Sequence, residues 1–114
     1  MLNLFVILTS ITCTYSFSRA PVPMATVEVT FDAQGKPADR AKVTMHGRTH
    51  FESLTPVESG AGEMFHAWLS QESAENSIEM IVYQEPQASG RSKLVNNRMP
   101  IGKEMWGSCE IKGL

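Results

Sequence analysis

The sequence predicts an all-β domain, a small antiparallel β-sandwich or half-open barrel of six to seven short strands. Three observations support this class. Thr26–Phe31 alternates strictly between polar and apolar residues, as a strand with one covered face does. Ser77–Gln84 has the β-branched and aromatic content of a strand covered on both faces. Turn-forming residues separate such segments at roughly ten-residue intervals.

The first half of the chain supplies two or three of the predicted strands. Pro21–Pro23 is an extended lead-in, because proline fixes the backbone angle φ. After the first strand, Asp32–Lys36 has the composition of a tight turn, and alternation resumes in Ala41–His46. Gly47 is either a bulge in one long strand or the turn between two short ones, since Thr49–Leu54 continues the pattern.

The segment at about residues 62–75 allows two interpretations. We favour a strand, because the apolar run Met64–Leu69 can pair with Ser77–Gln84 as a hairpin. A helix fits its apolar i,i+4 pairs and would make the fold α+β. Two more strands are predicted at Ser92–Val95 and Glu104–Ile111. The expected core consists of apolar residues in these strands: Val27, Val29, Phe31, Val43, Met45, Phe65, Leu69, Ile78, Met80, Val82, Leu94, Trp106 and Ile111.

The N-terminal segment, residues 1–20, is predicted to be a cleaved secretory signal peptide, which leaves residues 21–114 as a single β-rich domain. The apolar run Leu2–Cys13 contains no charged residue, and Ser18 and Ala20 are the small residues of a cleavage site. The run is shorter than the ~20 residues of a membrane-spanning helix. We therefore expect a secreted or periplasmic protein without a stable membrane span after cleavage.

Charge and cysteine content narrow the range of partners. The chain has 10 basic and 12 acidic residues and a formal net charge of −2. Because it lacks a basic cluster, we expect no nucleic-acid partner. Removal of residues 1–20 would leave Cys109 as the sole cysteine, so we expect no internal disulfide. Cys109 is then either a buried thiol or a residue that pairs with another chain.

No sequence pattern indicates catalysis. The chain contains no Gly-x-Ser-x-Gly motif and no Gly-rich loop before a helix, so we predict no enzyme activity and no cofactor. His46, His50 and His66 are weak candidate metal ligands. Zinc sites require three or four converging ligands, and Gly47 interrupts the segment that holds the first two histidines. We therefore expect no tightly bound divalent metal.

The resulting functional prediction is a non-enzymatic exported protein that acts as a macromolecule-binding or structural β module, with a protein as its partner. The last strand offers Met105, Trp106 and Cys109 as binding residues, and it would support a weak homodimer if it lay at a sheet edge. One alternative is an inhibitor of a secreted protease or lysozyme that inserts the loop Pro86–Arg91 or Asn96–Ile101. A further alternative is copper or zinc handling, because histidine and methionine side chains suit those metals.

Overall fold

The computed structural model describes residues 8–16, 25–45, 47–73, 76–84, 90–97 and 104–113. These residues form antiparallel strands in which each pairs with the next, and the eighth pairs with the first to close a barrel. The strands are β1 (Leu8–Ser16), β2 (Ala25–Thr30), β3 (Arg40–Met45), β4 (Arg48–Pro56), β5 (Glu63–Ser73), β6 (Asn76–Tyr83), β7 (Arg91–Asn96) and β8 (Glu104–Gly113). Within the described residues there is no helix with the length and hydropathy of a membrane span.

The all-β class is confirmed, but the predicted sandwich or half-open barrel of six to seven strands is corrected to a closed barrel of eight. The additional strand is β1, which lies inside the segment predicted to be a signal peptide. Its residues Ile11, Cys13 and Tyr15 are fully buried, whereas the residues between them are partly exposed. β1 thereby pairs with the open edges of both β2 and β8. Residues 1–7 and 17–20 lie outside the described residues, and cleavage after residue 20 stays a prediction.

Two open alternatives of the central region are resolved by the strand pairing. The segment at about residues 62–75 is the strand β5, which pairs with β6, so the helix alternative is wrong. Phe65, Ala67 and Leu69 alternate into the barrel, which explains the apolar run. Gly47 is part of the turn between β3 and β4 rather than a bulge, and its φ of 76° is one that glycine adopts without steric cost.

The barrel interior is a continuous apolar core. Most of the predicted core residues are buried there: Val27, Val29, Val43, Phe65, Leu69, Ile78, Met80, Val82 and Leu94. Phe31 and Met45 are partly buried and pack against this core. The prediction is wrong for Trp106 and Ile111, which are 41% and 37% exposed. Trp106 faces outward because its neighbour Met105 faces inward, and Ile111 lies beyond Ser108, the last β8 residue that pairs with β7.

Tyr15 makes a polar contact across the interior. Its hydroxyl lies 2.7 Å from the Ser92 Oγ, which itself donates to the Ile81 carbonyl, also at 2.7 Å, so Tyr15 is the donor to Ser92. Gly107 pairs with Tyr15 on one side and Ser92 on the other, and a Cβ there would overlap the Thr14 backbone and the Tyr15 ring. The missing side chain at Gly107 therefore gives the Tyr15 ring room to reach β7. Burial raises the pKa of the Tyr15 phenol well above its ordinary value, and the hydrogen bond to Ser92 offsets only part of that increase.

β4 and β5 pair over only part of their length. Their ladder joins Leu54–Pro56 to Ala67–Leu69 and stops there. The next residue of β5, Ser70, has a left-handed φ of 52°, and the β5–β6 register is irregular between Leu69 and Ser73. The first part of β4, Arg48–Ser53, pairs with β3 but not with β5 in the described residues. Among the described residues, the first part of β4 is thus paired on one side only, and we call its other side the open side of β4.

Candidate functional site

The candidate site lies on the outer wall of the barrel, across β6, β7 and β8. Tyr83, Lys93 and Trp106 each follow a residue that is buried in the interior, so these three side chains face outward. The buried residues are Val82, Ser92 and Met105. Lys93 is directly opposite Trp106 in the β7–β8 ladder, and Arg91 lies on the same face of β7 two residues earlier. We call Tyr83, Arg91, Lys93 and Trp106 the outer-wall patch.

The patch is organised around the indole ring of Trp106. The Tyr83 ring stacks on it, with centroids 5.7 Å apart and ring planes inclined by 20°. The Arg91 Cζ atom lies 5.1 Å from the ring centroid and the Lys93 Nζ atom lies 5.9 Å from it. Both cations are within the ~6 Å over which an aromatic face attracts a positive charge. The indole is thus held by three neighbours while it remains exposed.

Ile81 gives this wall an apolar base beside the patch. Its neighbours Met80 and Val82 belong to the interior core, so Ile81 faces outward, yet it is only 6% exposed. It is directly opposite His66 on β5 and Lys93 on β7. An outward-facing residue is buried only when neighbouring side chains cover it. The side chains of the outer wall therefore pack into a layer of their own.

His66, on the far side of Ile81, has both ring nitrogens engaged by carboxylates. Its Nδ1 lies 3.1 Å from the Glu63 Oε1 and its Nε2 lies 2.5 Å from the Glu79 Oε2. The Glu63 Oε1 also accepts the backbone N–H of Gly60 at 2.7 Å. Because each nitrogen already faces a carboxylate, neither is free to bind a metal or to take a proton from a substrate. The arrangement ties β5, β6 and the preceding turn together.

The predicted metal candidates are separated in the fold. His50 is exposed on β4, where its Nε2 lies 2.9 Å from the Glu52 Oε1, and His66 is held as just described. His46 lies outside the described residues. Over the described ranges, no three His, Cys, Asp or Glu side chains converge as metal ligands. The metal-handling alternative therefore gains no donor set from this geometry.

Of the three predicted partner-binding residues, Trp106 alone presents its side chain at the outer wall. Met105 is 7% exposed and belongs to the core. Cys109 forms a disulfide with Cys13. No internal disulfide was expected, because the predicted removal of residues 1–20 would remove Cys13. β8 also pairs with both β7 and β1, so in the closed barrel it lacks the free edge on which the predicted homodimer depended.

Sequence reasoning missed Tyr83, Arg91 and Lys93. Treating Ser77–Gln84 as covered on both faces concealed the outward orientation of Tyr83. The alternation between Val82 and Tyr83 was the available signal, but only the strand pairing brings the two cations to Trp106. Most of the loops Pro86–Arg91 and Asn96–Ile101, which the inhibitor alternative would use, lies outside the described residues.

Comparison with known proteins does not assign this chain to a family, because no family model, curated protein or solved structure matches it. The outer-wall patch is thus the observation from which a function can be inferred.

Proposed function

We propose that this protein is a non-enzymatic binding module of the cell envelope or secreted space and that the outer-wall patch contacts its macromolecular partner. The observation that carries the proposal is the exposed Trp106 ring, which stacks on Tyr83 and lies beside Arg91 and Lys93. Tryptophan, tyrosine and arginine are the residues most enriched in binding hot spots. An indole already fixed by its neighbours loses little rotamer freedom when a partner covers it.

The charge of the patch indicates the kind of partner. The chain as a whole has a net charge of −2, but Arg91 and Lys93 make the surroundings of Trp106 locally positive. A partner that places an apolar or aromatic group on the indole and carboxylates beside it would match this surface. We therefore propose a protein partner with an acidic rim around an apolar contact.

The proposed location is supported by two features of the N-terminal strand and its surroundings. Disulfides such as Cys13–Cys109 persist in oxidising compartments and are rare in the cytosol. The apolar segment that starts at Leu2 is typical of a chain directed to the export machinery. The two features act together only if β1 stays attached after export, because cleavage after Ala20 would remove Cys13 and with it the disulfide.

Partner recovery from envelope fractions and culture fluid tests the proposal. The wild-type chain and the Trp106→Ala and Ser108→Ala variants are used as baits at equal concentration, and bound proteins are identified by mass spectrometry. Ser108 is the matched control, because it lies on the same face of β8 two residues away. We expect one stoichiometric partner that binds the wild type and Ser108→Ala and is lost with Trp106→Ala.

Titration with the purified partner then measures the effect. Truncation of a hot-spot tryptophan costs about 2 kcal/mol or more, so Trp106→Ala is expected to weaken binding about 30-fold. Loss of Arg91 and Lys93 should also reduce the salt dependence of binding. Equal affinity of the wild type and Trp106→Ala, or turnover of a substrate by the purified protein, contradicts the proposal.

A further inference from the structure

We propose that the free side of β4 is an interface between two copies of this chain, in which Thr49 and Phe51 of one copy pair with Phe51 and Thr49 of the other in an antiparallel ladder. In the described residues, the first part of β4 pairs with β3 alone. An unpaired strand edge is a template for a further strand.

Two backbone hydrogen bonds show which residues of β4 face the open side. The Leu54 N–H donates to the Asp39 carbonyl on the β3 side, at 2.8 Å. The Val57 N–H donates to the His66 carbonyl on the β5 side, at 3.0 Å. Because the bonding direction alternates along an antiparallel strand, the backbone N–H and C=O groups of even-numbered β4 residues point toward β3, and those of odd-numbered residues point toward the β5 side.

Phe51 therefore directs its N–H and C=O groups toward the side where the described residues of β5 do not pair with it, and Thr49 directs its own groups to the same side. A two-fold axis through His50 places Thr49 of each copy opposite Phe51 of the other. Each such pair exchanges two hydrogen bonds, which gives about four across the axis.

The side chains of this segment are complementary to themselves in that register. Arg48 of one copy is opposite Glu52 of the other, and the two-fold axis repeats this attraction. Glu52 is anchored by its hydrogen bond to His50, 2.9 Å away, which fixes its carboxylate on the face that Arg48 shares. Phe51, at 61% the most exposed of the large apolar side chains in the described barrel, would pack against Thr49 of the second copy.

The edge lacks three of the devices that normally prevent such pairing, and its charged residues Arg48 and Glu52 are complementary to those of a second copy. Natural edge strands carry lysine, proline or a bulge in their middle. Between Thr49 and Ser53 the sequence has neither lysine nor proline, and the β3–β4 register is continuous from Arg48 to Ser53. The second copy is therefore the occupant that this edge fits, and the expected association is weak because the interface is short.

Sedimentation equilibrium of the full chain, with its disulfide intact, tests the inference over a concentration series. The wild type is expected to show a monomer–dimer equilibrium. Arg48→Glu and Glu52→Arg each place like charges opposite one another at two symmetric positions, and each is expected to weaken dimerisation about tenfold or more. Phe51→Lys, which adds an edge lysine, should act in the same direction.

An equimolar mixture of the Arg48→Glu and Glu52→Arg variants separates an interface effect from misfolding. Each chain then meets opposite charges on the other, so a heterodimer of near wild-type affinity is expected. Ser108→Ala on the opposite wall, outside the outer-wall patch, is the control and should leave dimerisation unchanged. The inference is overturned if the wild type is monomeric at every concentration, if the mixture does not associate, or if Ser108→Ala weakens the dimer as much as Phe51→Lys does.

Discussion

The disulfide Cys13–Cys109 joins β1 and β8 at the seam where the barrel closes. Removing it therefore measures how much the covalent bond adds to the stability of the closed barrel. The two cysteines are 96 residues apart in the chain. Cross-linking a loop of that length removes unfolded-state entropy worth about 4.7 kcal/mol at 25 °C. A domain of this size has a total unfolding free energy of about 6–17 kcal/mol, so the bond is expected to supply a large share.

The native structure should survive its loss. β1 and β8 also share a ladder of eight residue pairs, which closes the barrel without the covalent bond. We therefore expect the far-ultraviolet circular dichroism of the reduced protein to match that of the oxidised protein, while its urea midpoint falls. With a urea m-value of about 1–2 kcal/mol per molar, the loss of about 4.7 kcal/mol should lower the midpoint by roughly 2–5 M.

The assay compares the oxidised chain, the same chain refolded from urea in reductant, and the Cys13→Ala/Cys109→Ala variant. Reduction is carried out in urea because Cys13 is fully buried in the folded barrel. The reduced chain keeps every side chain, so its difference from the oxidised chain isolates the cross-link. A midpoint change below about 0.5 M, or two free thiols titrated in the native oxidised protein, refutes the reasoning.

Two more predictions concern the polar contact beneath the seam. Burial raises the folded-state pKa of Tyr15. The unfolded chain therefore releases its phenol proton near pH 10, whereas the folded chain retains it. The free energy of unfolding should be constant below pH 10 and fall above it by about 1.4 kcal/mol per pH unit. Urea midpoints against pH check this, Tyr15→Phe should remove that slope, and a Tyr15 that ionises near pH 10 without unfolding, seen as tyrosinate absorbance, contradicts it. Gly107→Ala forces a Cβ into the Thr14 backbone and should cost about 1–3 kcal/mol or more, whereas Ser108→Ala on the outer face should stay within about 0.5 kcal/mol; equal thermal midpoints for the two variants would show that β1 yields at no cost.

Local patterns in the sequence were sufficient for most of the strands. The alternation in Thr26–Phe31 and in Ala41–His46 depends on neighbours within a few residues, and the structure has the corresponding strands β2 and β3. At Gly47 the sequence left a bulge and a turn open, and the structure has the turn between β3 and β4. The strand assignment at Met64–Leu69 was also correct. Strand number failed at one place: Ser10–Ser16 alternates hydroxyl and apolar residues as regularly as β2 does, but its position at the N-terminus favoured a signal peptide.

The proposed binding surface was harder to predict from the sequence, because it depends on pairing between distant strands. Lys93 reaches Trp106 only through the β7–β8 register, and Cys13 reaches Cys109 only through barrel closure. A one-residue shift in either ladder would place these side chains on opposite faces. The open side of β4 could not be predicted for the same reason, because the residues of β4 do not indicate where β5 stops pairing with it.

The N-terminal segment links the predicted export signal to the homodimer predicted through β8. A chain that starts at Pro21 lacks β1, so the edges of β2 and β8 lose their partner, and Cys109 loses its disulfide bond to Cys13. We therefore expect recombinant Pro21–Leu114 to be less stable than the full chain and to self-associate through β8, with some interchain disulfide at Cys109. Sedimentation with and without reductant, alongside the full chain, measures this. If Pro21–Leu114 is monomeric and as stable as the full chain, then β1 is dispensable, and the barrel closes or covers its edges without it.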